Sequence, residues 1–326
     1  MSSRQQYPEW TRAHVRVMDH ELDNLVLALC ERPMAAPDWR SNIYPAADND
    51  RFVQFIGVQN AINYAFTDPV SRRDNPTTGG KFAVHYAGEL QKGSGGLNAA
   101  IMRACDSGTD LLDTSVLAGL SLAQAEHVFR SDLAPMTLVP ERAQALNSLA
   151  ASLEPFGGSF AEVLRQCAYD AEAVISLLVE QFPAYGTDRW LHPSSLERLV
   201  FDKRARLFAA IYEGRARSSG GALPTLKNLD AIGPVIDYQI PHALRAVRVL
   251  SYSHELAARV DSGCLIAPGS EEELAIRAVA HEVVAEILRR VVHMGVPTTM
   301  VELDAALWYA GRKTEGLHHL TLTTAY

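Results

Sequence analysis

Residues 270–297 read SEEELAIRAVAHEVVAEILRRVVHMGVP, and this stretch carries the clearest structural signal in the chain. Ser270 and Glu273 form a capping-box pattern, which marks the first turn of a helix. Apolar side chains then recur at three- and four-residue intervals, while Glu and Arg occupy the other faces. Gly295 and Pro297 end the pattern. The segment therefore predicts a long helix with one buried side.

The same capping pattern predicts three more helices. The pairs are Ser159 with Glu162, Ser194 with Glu197, and Thr299 with Glu302. We expect the last of these helices to end near residue 309. Residues 51–66 fit a helix or a strand equally well, and the C-terminal HLTLTTAY alternates and is rich in Thr, which suggests a short strand.

Helical signals thus dominate, and the sequence predicts a mainly α protein: a single helical domain spanning residues 1–326 with a few short strands. Residues 67–81 and 215–224 contain the Gly, Pro and Ser typical of loops. The second loop is a possible internal boundary. The helices beyond it are too few to require a separate core, so one domain is the simpler prediction.

Composition restricts the class of partner. The formal net charge is −8, with 48% hydrophobic and 21% charged residues. An acidic balance disfavours a stable complex with nucleic acid, whereas a single mononucleotide phosphate needs only one or two local cations. No apolar run is long enough to cross a membrane, and the N-terminus lacks a secretion signal. The four cysteines are widely spaced, as expected for reduced thiols in the cytoplasm.

Common catalytic signatures are absent. The sequence contains no GxGxxG after a strand, GxxxxGK[ST], GxSxG or HExxH. His318 and His319 are adjacent, but a metal site would need further ligands, and we expect no metal. Chemistry must therefore rest on less familiar groups.

Asp237 is the first candidate, within VIDYQIP at residues 235–241. Pro241 favours the first turn of a helix, so Asp237 falls just ahead of a helix carrying Leu244, Val247 and Leu250. Its apolar neighbours disfavour a charged carboxylate, and the nearby helix N-terminus favours one. Asp237 is either a simple capping or buried hydrogen-bonded residue, or a reactive acid.

Asp304 is the second candidate, and Lys203 together with Arg204 is the third. Asp304 shares a helical stripe with Val301 and Trp308, so it either lines a pocket or lies exposed beside a half-exposed Trp. The helix predicted after Ser194 has an apolar stripe; Lys203 lies at the edge of this stripe and Arg204 lies within it. Their stems either extend to water, or one cation faces an anion in a cleft.

Taken together and in order, these segments resemble the queuosine salvage proteins, the queuosine 5′-phosphate N-glycosylase/hydrolase family. The resemblance spans roughly residues 50–326 and is densest after residue 229. No single motif is specific, but the ordered set is. The matching stretches are NAINYAF (60–66), FRSD (129–132), FGGSF (156–160), EQFPAY (180–185), FDKRA (201–205), IDYQIPHAL (236–244), VLSYSHEL (249–256), GSEEELAIRA (269–278), LDAALW (303–308), and His318 and His319 with the terminal Tyr326.

This resemblance implies a mainly helical fold similar to DNA glycosylases, without a metal or organic cofactor. It implies hydrolysis of the N-glycosidic bond of queuosine 5′-monophosphate, a small-molecule substrate, to queuine and ribose 5-phosphate. Asp237 matches the Asp of the family's DYR-x-P motif and is the catalytic candidate. The substrate-binding candidates are Asn63, Phe66, Lys203, Arg204, Tyr238, Asp304, Trp308 and His318, with Lys203 and Arg204 assigned to the 5′-phosphate and Asp304 to the guanine-like edge of the base.

The sequence departs from the family pattern at two positions, and two other functions compete with the one that the resemblance implies. Gln239 and Leu320 stand where the family commonly has Arg, so this chain must hold the phosphate differently if those arginines contact it. One rival function is a helical glycosylase that acts on another modified nucleoside or on a base within DNA or RNA. The other is a non-catalytic binder of queuosine.

Overall fold

The computed structural model describes residues 8–74 and 80–326. These residues form fourteen α-helices and six short strands, and the predicted mainly helical fold is confirmed. The strands are β1 (Val15–Val17), β2 (Ala83–Tyr86), β3 (Glu89–Lys92), β4 (Arg189–Leu191), β5 (Arg198–Val200) and β6 (Leu250–Tyr252). The helices are α1 (Asp19–Cys30), α2 (Asp50–Ala61), α3 (Pro69–Asp74), α4 (Ser94–Asp106), α5 (Thr114–Ala118), α6 (Leu122–Val128), α7 (Val139–Leu153), α8 (Phe160–Gln166), α9 (Ala171–Gln181), α10 (Lys203–Ser218), α11 (Gln239–Ala246), α12 (His254–Asp261), α13 (Glu271–His293) and α14 (Met300–Lys313).

The chain divides into two compact units, each assembled from separate stretches of sequence. The first unit contains the chain up to residue 36, residues 189–203 and residues 233–322. The second contains residues 37–188, 204–232 and 323–326. The possible boundary at residues 215–224 thus lies inside the second unit, where α10 continues to Ser218 before the turn. The single domain over residues 1–326 stays a prediction.

The first unit has α13 at its core, as the opening stretch of sequence predicted. The predicted stripe on α13 is buried, including Ile276, Val283 and Ile287, against apolar side chains of α1, α11 and α14. Burying one such side chain stabilises the fold by about 1.5–3 kcal/mol. Two antiparallel pairs complete the unit: β1 with β6, and β4 with β5.

Three of the four predicted helix starts are confirmed. Ser270 accepts a hydrogen bond from the Glu273 amide, and Ser159 accepts one from the Ala161 amide. Thr299 begins α14 with both halves of the capping box formed. That helix runs to Lys313, four residues beyond the expected end.

The helix predicted after Ser194 is wrong. The Ser194 hydroxyl donates to Glu271, and Glu197 accepts a hydrogen bond from Trp10, so neither side chain caps a helix. Residues 189–191 and 198–200 instead pair as the β4–β5 hairpin. The helix begins later, at Lys203. Tertiary partners therefore recruited the polar groups that the local pattern assigned to a cap.

Four smaller expectations are also corrected or resolved. HLTLTTAY is not a strand, because only Leu320 pairs, in an isolated bridge with Leu265. Residues 51–66 are mostly helical, within α2. The expected loop at 67–81 contains α3, and its residues 75–79 lie outside the described residues. The helix after Asp237 ends at Ala246, and Leu250 begins β6.

The second unit packs α2 against α8, with close contact at a glycine. A β-carbon on Gly57 would lie 2.1 Å from the Phe160 ring, so only glycine permits this approach. The hairpin of β2 and β3 packs on α4. Every residue of α2 from Phe52 to Ala61 is buried.

Candidate functional site

Asp237 lies two residues before α11, in the first unit, and is 7% exposed. Its Oδ1 accepts hydrogen bonds from the amides of Gln239 (2.6 Å) and Ile240 (3.4 Å). These contacts cap the helix, as one of the two sequence interpretations held. Asp237 Oδ2 has no hydrogen-bond partner among the described residues. The cap therefore fixes the carboxylate while one oxygen remains available.

Asp304 is a second buried acid, on α14, and is 8% exposed. Its Oδ1 accepts the Val235 amide at 3.0 Å. Burial raises the pKa of this carboxyl to about 8; the Val235 hydrogen bond lowers it, the charge of Asp237 raises it, and the charge of Lys203 lowers it. Lys203 is itself only 3% exposed. The charges of Asp237 and Lys203 thus both act on Asp304, and we call these three residues the acid cluster.

Arg277 on α13 holds the two chain segments that lead into the acid cluster. Its Nη2 donates to the carbonyl of Ile236 at 3.0 Å, next to Asp237. Its guanidinium lies 4.0 Å from the centre of the Phe201 ring, two residues before Lys203. Glu273, one turn earlier, is 3.7 Å from Arg277. No sequence motif singled out this buried pair, although its i,i+4 spacing on α13 was a signal.

Two further contacts fix the acid cluster. Arg189 forms two 3.0 Å hydrogen bonds with the carboxylate of Asp202, the residue before Lys203. At the other side, α14 approaches α11 at Gly311, where a β-carbon would lie 2.6 Å from the Gln239 carbonyl oxygen. Glycine therefore permits the close packing of the two helices that supply Asp237 and Asp304.

Aromatic rings from separate parts of the first unit stack near Asp237. The rings of Tyr238 and His318 are 4.1 Å apart with 24° between their planes, and His242 meets His318 edge-on at 6.4 Å. His318 Nδ1 lies 2.6 Å from the His319 carbonyl oxygen. Because a carbonyl only accepts, Nδ1 carries the proton, and Nε2 is the acceptor in the neutral ring. His242 was missed by sequence reasoning.

Trp308 is half-buried on α14, and two of its ring contacts come from the same helix. Tyr309 meets it edge-on at 5.3 Å, and the Arg312 guanidinium lies 5.0 Å from its ring centre. Its apolar edge packs against the core of the first unit. The substrate-binding role of Trp308 stays a prediction.

Asn63 and Phe66 lie in the second unit, in the turn after α2, and both are buried. Arg142 organises this turn: Nη1 donates to the Ile62 carbonyl and Nη2 to the carbonyls of Tyr64 and Ala65. The same guanidinium lies 5.3 Å from the centre of the Phe66 ring. Sequence reasoning gave no signal for Arg142.

Arg204 is 1% exposed and also belongs to the second unit. It donates to the Ala61 carbonyl and, at 2.6 Å, to the Thr187 hydroxyl. Burial lowers the pKa of its guanidinium. These contacts favour a structural role for Arg204, whereas the charge of Lys203 acts on Asp304 in the acid cluster. The phosphate role of both stays a prediction.

The two departures from the family pattern are both buried. Gln239 is 5% exposed, and its Oε1 has no hydrogen-bond partner among the described residues. Leu320 is 3% exposed and lies beside Leu265. Neither position supplies a cation.

In residues 8–74 and 80–326, no three His, Cys, Asp or Glu side chains converge as metal ligands. Over the same ranges, no helix combines the length and apolar character needed to cross a membrane.

Known proteins include clear relatives of this chain. The model of the queuosine salvage protein family matches residues 43–326. A queuosine 5′-phosphate N-glycosylase/hydrolase of Mus musculus is 29% identical, over 84% of this chain and 81% of its own length. Proteins of the same name from Bos taurus and Sphaerobacter thermophilus are 29% and 26% identical, over 78% and 95% of this chain and 72% and 92% of their own lengths. The chain therefore belongs to the queuosine salvage protein family.

Proposed function

We propose that this protein hydrolyses the N-glycosidic bond of queuosine 5′-monophosphate, releasing queuine and ribose 5-phosphate. The observation that carries this proposal is the family match over residues 43–326, together with relatives named for this reaction over most of the chain. Membership in the family makes the protein an N-glycosidase that acts on a small molecule. The acid cluster supplies groups suited to that chemistry.

Asp237 is the proposed catalytic residue. Cleavage of the bond between base and ribose builds positive charge on the sugar, and a fixed carboxylate beside C1′ stabilises that charge. Asp237 suits this role because two main-chain amides fix one oxygen and leave the other available. The same carboxylate can receive a proton from the attacking water.

The remaining residues are proposed to bind the substrate. Asp304 contacts the base, and Tyr238 stacked on His318 offers a flat surface beside Asp237. Lys203 is the proposed partner of the 5′-phosphate. Asn63, Phe66, Arg204 and Trp308 keep the binding roles implied by the family resemblance, although the contacts of Arg204 support that role least.

The proposed substrate is a free nucleotide in the cytoplasm, without a stable nucleic acid complex. A net charge of −8 supports this choice, since stable binding of DNA or RNA requires many Lys and Arg side chains to neutralise phosphates. Hydrolysis by a carboxylate and water calls for no metal or organic cofactor.

The direct test is to incubate the protein with queuosine 5′-monophosphate, queuosine, or queuosine-containing tRNA, and to measure free queuine by mass spectrometry. We expect release from the monophosphate, and none from intact tRNA. Release from tRNA would favour a glycosylase acting on polymers. Tight binding of the nucleotide without any release would identify a non-catalytic binder.

A further inference from the structure

The two carboxyl groups of the acid cluster differ in their hydrogen bonds. Asp237 Oδ1 accepts two main-chain amides, whereas Asp304 Oδ1 accepts one, from Val235 at 3.0 Å. In the part of the chain that the structure describes, Oδ2 of each has no hydrogen-bond partner. One site therefore holds two buried carboxyl groups, each fixed through one oxygen and available through the other.

Such a pair divides naturally into an acid and a base. Like charges close together in a buried site disfavour double ionisation, so one group keeps its proton. Burial and the charge of Asp237 raise the pKa of Asp304 to about 8, despite the opposing effects of Val235 and Lys203. At neutral pH Asp304 is therefore mostly protonated, and its Oδ2 can donate a hydrogen bond.

We propose that Asp304 is the general acid of the reaction and donates its proton to the departing base; this inference rests on the proposed function. The bond between ribose C1′ and the base nitrogen breaks, and its electron pair stays on the base. The Asp304 proton neutralises that nitrogen, while water adds to C1′ and passes a proton to Asp237. Transfer of this proton from Asp237 to Asp304 restores both groups, and the net reaction is hydrolysis.

The chemistry of the base gives this acid a definite task. A 7-deazaguanine lacks N7, so the base cannot be activated by protonation there. General acid catalysis at the leaving group typically contributes about 10²–10⁴ in rate. The assignment differs from the role expected from the sequence, in which an ionised Asp304 accepts hydrogen bonds from the guanine-like edge.

Several charged and titratable groups surround Asp304. Asp237 and Lys203 are the two charges that act on its titration. Three other buried titratable groups lie on helices packed against α14: His242 on α11, and Glu273 and Arg277 on α13. Arg277 is held by the Ile236 carbonyl and Glu273.

The pH dependence of kcat/KM on queuosine 5′-monophosphate separates the two roles, because it reports groups of the free enzyme. With Asp304 as the acid, kcat/KM falls as the pH rises through about 8, and Asp304→Asn loses that decline. If Asp304 acts as an ionised acceptor, kcat/KM rises over the same interval. A rise would overturn the proposal.

Synthetic leaving groups provide the second measurement. Phenyl and 4-nitrophenyl riboside 5-phosphates both lack a guanine-like edge, but only phenoxide is a poor leaving group. Asp304→Asn should lose about 10²-fold or more on the natural nucleotide and on the phenyl compound, and far less on the nitrophenyl compound. Equal, small losses on both aryl substrates would contradict an acid role. Asp237→Asn is the matched control and should lose activity on all three.

An infrared difference spectrum between wild type and Asp304→Asn at pH 7 gives a readout independent of turnover. We expect a protonated carboxyl band that is absent from the variant, and only an ionised carboxylate difference would overturn the assignment. Asn keeps an oxygen that can accept the Val235 amide, so the fold should survive. If wild type releases no queuine while this band is present, the proposed function fails and the protonation of Asp304 stands.

Discussion

Buried charges occur in both units, but they are used differently. In the second unit, Arg142 is 0% exposed, and all three of its guanidinium nitrogens donate to main-chain carbonyls, with Nε reaching Thr137 at 3.0 Å. In the first unit, Asp237 and Asp304 are nearly as buried, yet each keeps an oxygen without a partner among the described residues. Burial alone therefore does not indicate function; an available polar atom beside a second charge does.

The largest expected effect concerns Asp237. Asp237→Asn should lower queuine release by on the order of 10²–10³ because the charge beside C1′ is lost. The Asn oxygen can still accept the Gln239 and Ile240 amides, so the thermal midpoint should stay near the wild-type value. Turnover and thermal unfolding measured together check both points.

Asp237→Ala is the control for the capping contribution. It loses the cap as well as the charge, and should unfold with about 1 kcal/mol less stability than the Asn variant. Near-normal turnover in Asp237→Asn would assign catalysis to another acid. Asp237 would then be a structural buried charge, as Arg142 is in the second unit.

Arg142→Met tests the structural side of the comparison. Its removal leaves the carbonyls of residues 62, 64, 65 and 137 without this donor, so the protein should lose about 3 kcal/mol or more of unfolding free energy. Arg289→Met on the exposed face of α13 is the control and should cost less than about 0.5 kcal/mol. Equal costs in denaturant titrations would show that Arg142 is not a structural anchor.

Lys203 and Arg204 are sequence neighbours whose surroundings predict different outcomes. Lys203→Met should reduce the preference for the 5′-monophosphate over free queuosine by about tenfold to a hundredfold, as a charge-assisted contact is lost. It should also raise the pKa of Asp304 further, because the Lys203 charge lowers it.

Arg204→Met should lower stability and reduce that substrate preference much less than Lys203→Met does, because its guanidinium is already bonded to the Ala61 carbonyl and the Thr187 hydroxyl. The ratio of kcat/KM values for the two substrates is the measurement. The opposite pattern, with preference lost only in Arg204→Met, would transfer the phosphate role from Lys203 to Arg204.

The smallest effect is expected at the helix contact that supports the acid cluster. Gly311→Ala places a β-carbon 2.6 Å from the Gln239 carbonyl if nothing moves, so α14 must shift from α11. Such overpacking costs about 1–3 kcal/mol, and displacing Asp304 should also slow turnover. Gly119→Ala is the control, because its nearest neighbour would be 3.7 Å away. Full activity in Gly311→Ala would mean that this spacing is not critical.

The sequence by itself determined the helical character, the long α13 and three helix starts, because periodic apolar positions and capping pairs act over a few residues. The family followed separately, from the ordered set of stretches that resemble it. The sequence also selected Asp237 and Asp304 as candidates. It could not choose between a capping and a reactive Asp237, and the structure shows that the capping contact leaves one oxygen available.

Only the tertiary structure decided which candidates come together. It converted the Ser194 pattern into a hairpin, gave Arg204 the Ala61 carbonyl and the Thr187 hydroxyl as partners, and placed Asp237 and Lys203 where their charges act on Asp304. It also introduced Arg277, His242 and Arg142, whose roles depend on carbonyls and rings distant in sequence. The physical reason is that desolvation and Coulomb interactions depend on the distance between groups in space, which local sequence periodicity does not encode.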